Sequence, residues 1–258
     1  MPKRVFFLLA AGLVVTGCRA TPLDAVTLDP RSLSMGLVAH WTFDEGSGTK
    51  VSDHSGHSYD GTLVGGTWTG AGRFGGALEL ASGDTVTFPS FPQATPNWTV
   101  SVWVYMTGDQ LMSNTTADNG DFGTILSTEL AFSGGWELQL DDRTTNQTFA
   151  AAYPVGSMDA ASGNYVIDDC ECVIADQWIH LTAVFDDDIQ QSTLYQNDAV
   201  VARVNMPVAI QAGDGTLYIG KWSQTKRPLA ADLDDFAIWD RALSSEEVAV
   251  ISMQPPPD

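Results

Sequence analysis

The chain has 258 residues, 12 Lys+Arg against 32 Asp+Glu, and a formal net charge of −20. That charge repels phosphate backbones and anionic headgroups, which excludes electrostatic capture of nucleic acid or of a membrane surface. With 44% hydrophobic residues and eight Trp, the chain can bury a sizeable core, and its length suits one large β domain.

At the N-terminus, Lys3 and Arg4 precede an unbroken run of apolar residues and Gly from Val5 to Val15. A basic start, a short apolar run and small residues behind it describe an export signal. The run is shorter than the roughly 20 apolar residues of a membrane span. Its end, Val15-Thr16-Gly17-Cys18, resembles the lipobox of bacterial lipoproteins. That resemblance implies cleavage after residue 17, lipid on Cys18, and attachment to the cell envelope through lipid alone. Arg19 in place of Asp behind the lipidated Cys favours the outer membrane or cell surface. Residues 18–35 carry Pro22 and Pro30 with little periodicity and are expected to form a flexible tether.

From Gly36 the texture changes to short alternating runs. Strands are expected at 37–43, 99–106, 135–140, 178–185, 216–220 and 231–239, with a hairpin at 192–204 turning on Gln196-Asn197-Asp198. In the last strand Asp234 shares the parity of Phe236 and Ile238, which points its carboxylate toward the core. Many short strands separated by Gly-rich turns indicate an all-β antiparallel sandwich of 36–252. One helix is expected, near the C-terminus, where Ser244-Ser245-Glu246-Glu247 forms a capping box ahead of Val248, Val250 and Ile251. The Pro-rich tail 253–258 ends regular structure. Residues 141–176 are the least strand-like and read as an insertion. Cys170 and Cys172, with only Glu171 between them, are a loop disulfide or a pair of free thiols.

Three segments resemble the laminin G-like, concanavalin A-like jelly-roll family. They are Leu37 to Gly48 continuing through Asp53-His54-Ser55-Gly56 to Leu63, then Gly72-Arg73-Phe74-Gly75-Gly76, then Ala231 to Ser244. Trp178-Ile179-His180-Leu181 and Leu217-Tyr218-Ile219-Gly220 fall in the same order. The resemblance implies that the first and last strands lie side by side. It also implies one structural Ca²⁺ held by Asp44, Asp60 and Asp234, with Asp235 and the His57 carbonyl as further ligands. His57 and Tyr59 stand where the family prefers Asn.

The same sandwich carries glycosidases, which need two facing carboxylates. No Glu-x-Asp-x-x-Glu or Glu-x-Asp-x-Glu string occurs; Glu137 comes closest, but Gln139 stands where the Asp would be. No Gly-x-Ser-x-Gly elbow and no phosphate loop is present. Asn97, Asn114 and Asn146 match the glycosylation acceptor pattern by chance. The expected function is therefore non-catalytic recognition of carbohydrate or protein at the cell surface. A polysaccharide hydrolase or lyase, and a structural envelope or adhesion protein, are the alternatives. Trp68, Trp136 and Trp222 lie near Gly-rich turns and are the expected exposed stacking residues. Trp41, Trp103, Trp178 and Trp239 are expected in the core.

Overall fold

The computed structural model describes residues 31–114, 122–128, 135–141, 148–152, 165–167, 174–205, 215–222 and 227–257. Cys18, Cys170 and Cys172, and with them lipidation and the disulfide, lie outside the described residues. Strands numbered along the chain form two antiparallel sheets. The first contains β1 (Leu37–Trp41), β4 (Thr67–Thr69), β5 (Ala77–Leu80), β7 (Trp98–Tyr105), β12 (Trp178–Asp186), β13 (Gln191–Gln196), β14 (Ala199–Asn205) and β16 (Ala231–Trp239). Its order is β14-β13-β12-β7-β16-β5-β4, and β1 also pairs with β16. The second contains β2 (Lys50–Val51), β3 (Gly61–Val64), β6 (Thr85–Phe88), β8 (Phe122–Ser127), β9 (Glu137–Asp141), β10 (Thr148–Ala152), β11 (Tyr165–Ile167) and β15 (Leu217–Ile219), ordered β11-β10-β9-β8-β15-β6-β3-β2. Two strands thus fall within the stretch expected to be an insertion.

Alternation sets the core. Val100, Val102 and Val104 of β7 meet Leu138 and Leu140 of β9, with Trp41, Trp98 and Phe236 filling the middle layer. A second cluster, Leu37, Val184, Tyr195 and Trp239, covers the outer face of the first sheet beneath α3 (Ser245–Ile251). The expected Ser244–Glu247 capping box is present at α3. Two further short helices were not expected. In α2 (Gly108–Ser113), Thr107 and Gln110 form a second capping box. The other, α1 (Arg31–Ser34), falls inside the expected tether, yet Leu33 is buried and its carbonyl accepts the Trp239 indole N–H at 2.7 Å. Asn114 is buried and hydrogen-bonded to the backbone of Ala230 through both amide atoms. Its match to the acceptor pattern thus has a structural use.

The first and last strands are neighbours: β1 runs antiparallel to β16 with Trp41 opposite Phe236. The parity expected along β16 fails midway. Its register against β7 shifts between Asp234 and Ala237, and Asp235 sits at φ 45°. Asp tolerates this left-handed region better than most residues, and one left-handed residue makes a bulge. Leu233 and Phe236 therefore both face the core, while Asp234 pairs with Trp103 on the outer face.

Candidate functional site

The loop between β2 and β3 is organised by Asp53. Its Oδ1 accepts the amides of His40 at 3.0 Å and Ser55 at 2.9 Å, and its Oδ2 accepts the Ser55 hydroxyl and the Tyr59 amide, both at 2.9 Å. Partial burial pushes this carboxyl up, but the donors outweigh it and hold the group below the usual carboxylate range. Asp60 closes the loop from the other side. It accepts the Asp53 amide at 2.9 Å and pairs with the Lys50 ammonium at 2.9 Å, and both partners lower its pKa. Asp53 was not among the expected site residues, although Asp-x-Ser is the signature of an Asx turn.

The other expected ligands belong to a different group. Asp44 accepts the Gly76 amide, and Asp234 Oδ2 accepts the Phe74 amide at 2.8 Å, so both carboxylates bind the 72–76 loop. Gly75, at φ +87°, lets that loop close on Asp44, since a Cβ there would lie 2.5 Å from Oδ1. Asp235 faces His40 Nε2 at 3.2 Å. Burial, above all, and the neighbouring Asp235 raise the Asp234 carboxyl to about 7 against the pull of backbone amides. The expected Ca²⁺ residues are spread out: Asp60 joins the Asp53 loop, Asp44 and Asp234 hold the 72–76 loop, and Asp235 faces His40. Among the described residues no group of three His, Cys, Asp or Glu is placed to hold a metal.

The Trp expectations also need correction. Trp136 is 2% exposed because it alternates with Leu138 and Leu140 into the core, edge-on to Trp98. Trp222 is buried beneath the Arg227 guanidinium, which lies 4.4 Å from its ring. A Gly-rich turn nearby says nothing about which face a strand residue takes. Trp68 stays partly exposed on edge strand β4, its indole N–H donating to the Gly48 carbonyl. Trp41, Trp103 and Trp239 are buried as expected, whereas Trp178 keeps some exposure.

An open cleft of about 460 Å³ adjoins the Asp53 loop, where the start of β1 meets the end of β16. His57, Tyr59, Gln93, Thr95, Trp98 and Asp240 line it. The His57 and Tyr59 rings lie within 15° of parallel with centroids 6.1 Å apart. Tyr59 is braced edge-on by Phe91, and His57 Nδ1 lies 3.2 Å from the Ser55 hydroxyl. Among the described residues the buried indole N–H of Trp98 has no acceptor.

On the outer face of the second sheet, Glu137 is fully buried. Arg227 Nη1 lies 3.4 Å from its carboxylate and 3.2 Å from the Gln139 carbonyl oxygen. The ladder partners on β8 are Ser127 and Thr124. Among these neighbours there is no second carboxylate to complete an acid–base pair.

Residues 80–249 match the family described as the Concanavalin A-like lectin/glucanases superfamily. No curated protein sequence matches the chain. Domain 4 of a GH43 extracellular arabinanase from Geobacillus stearothermophilus, solved in complex with arabinotriose, superposes with a TM-score of 0.62 at 17% identity, over 84% of this chain and 98% of that one. The binding domain of Paraclostridial Mosquitocidal Protein 1 gives 0.65 at 17% identity, covering 85% of this chain and 52% of that one. The binding domain of botulinum neurotoxin serotype D, at 0.62 and 16% identity, covers 86% and 51%. The chain thus spans about half of each toxin region. The family match takes in more than half of this chain and runs through both sheets, from the end of β5 into α3; the protein belongs to the concanavalin A-like lectin/glucanase superfamily.

Proposed function

We propose that this protein is a non-catalytic carbohydrate-recognition module, tethered to the cell surface by lipid on Cys18. The observation that carries the non-catalytic half is Glu137. It is held by Arg227, with Gln139 beside it instead of a second acid. A glycosidase of this kind needs two facing carboxylates, and the Gln139 amide cannot stand in for either. Recognition is supported by the company of the fold. The arabinanase domain was solved with arabinotriose, and the serotype D toxin domain has been solved with N-acetylneuraminic acid.

The test couples two assays on the purified chain. Polysaccharide affinity electrophoresis should show retardation, while reducing-sugar release stays at background. Release that disappears in Glu137→Gln would replace this reading with a hydrolase. For the anchor, Cys18→Ser should move the protein from the membrane fraction to the soluble one.

A further inference from the structure

We propose that the cleft beside the Asp53 loop is the saccharide site, and that it takes a terminal mono- or disaccharide unit of a neutral glycan. This rests on the recognition reading above and goes further by assigning the place and the ligand class.

The size fits, because about 460 Å³ falls within the range of small-molecule sites. The lining has the mixture that a sugar needs. Tyr59 and His57 offer nearly parallel ring faces for the C–H side of a pyranose or furanose. Both are fixed in advance, by Phe91 and by Ser55, so little freedom is lost on binding. Gln93 is exposed and supplies both donor and acceptor.

One feature points to a ligand independently of the cleft's shape. It is Asp240, exposed beside Gly36, whose own Cβ, if present, would stand 2.5 Å from the Asp240 carboxylate. Gly36 thus admits the carboxylate to the cleft wall, where it can accept from two adjacent hydroxyls.

Asp240 also sets the class. A uronate or sialate carboxylate would face it in a chain of net charge −20. Like-charge juxtaposition selects against acidic sugars, so neutral ones are favoured.

The experiment measures binding of the full purified chain to soluble arabinan, β-glucan, galactomannan and polygalacturonate by isothermal titration. At least one neutral polymer should bind, and polygalacturonate should not. Asp240→Asn and Tyr59→Ala should each weaken the neutral binding about tenfold or more, the scale of one lost hydrogen bond or stacking contact. Tyr59 touches the core, so far-UV circular dichroism and melting must match the parent; exposed Asp240 decides the matter if they do not. Neutral binding that survives both substitutions, or that falls only in Trp68→Ala, overturns the cleft and leaves recognition standing. Tight binding of polygalacturonate overturns the ligand class. Binding to none of the polymers sinks both this assignment and the recognition reading.

Discussion

His180 and Asp234 pull the acid stability of the fold in opposite directions. His180 is buried, and burial pushes its pKa down to about 3. Unfolded, it titrates near 6.5. Between those values the unfolded chain binds the extra proton, so stability falls as pH drops from 6.5 toward 3. Asp234, raised from 3.8 to about 7, binds its proton first in the folded state. Its contribution is present below 3.8 and fades as pH rises through 7. Each slope amounts to about 1 kcal/mol per pH unit, and from pH 6.5 to 4.5 they nearly cancel. Asp234→Asn should expose the His180 slope: its urea midpoint should decline steadily over that window while the parent's stays nearly level. Parallel profiles for the two proteins would refute this. Asp53 makes a separate prediction. Asp53→Ala strands the amides of His40, Ser55 and Tyr59 and should cost about 2 kcal/mol, read as a lowered urea midpoint.

Among the elements, what could be read in advance depended on whether the signal was local. The capping box of α3 was plain because Ser244 and Glu247 are three residues apart. Ser244→Ala should lower stability by about 1 kcal/mol, measured by denaturant melting. The same logic would have found α2 from Thr107 and Gln110, but six residues give too little apolar periodicity to draw attention. Strand β16 failed for another reason. Parity propagates along a strand only while the backbone stays extended, and Asp235 breaks it. Two adjacent Asp residues inside an apolar strand were the available warning, since Asp is a poor strand former. Trp136 and Trp222 were misplaced because exposure depends on what packs above a residue. Arg227, which covers Trp222 and reaches Glu137, lies 90 residues beyond Glu137 in the chain.

For the whole molecule, sequence pattern conveyed the sandwich and the family, and the family resemblance implied the β1–β16 pairing. It could not show where the folded unit begins. Pro30 and weak periodicity made residues 31–35 look like tether, yet Arg241 donates to the carbonyls of Ser32 and Met35 and pairs with Glu247 through two 2.8 Å contacts. One side chain thereby joins α1, the end of β16 and α3. Leu33→Ala should cost about 2–3 kcal/mol, as for other buried Leu truncations, and a measured loss near zero would return this segment to the tether. The cleft was equally out of reach, because its walls come from four separate stretches of chain.

The pairing of β1 with β16 also constrains the order of events at birth. His40 and Asp235 are 195 positions apart, so the opening strand has no partner strand until residues 231–239 have emerged. Closing so wide a loop is slow, and until it happens β1 and its neighbours present unpaired hydrogen-bonding groups to other chains. A truncated product ending before residue 231 should therefore stick to its own kind rather than fold, which makes β16 the checkpoint for folding of this domain.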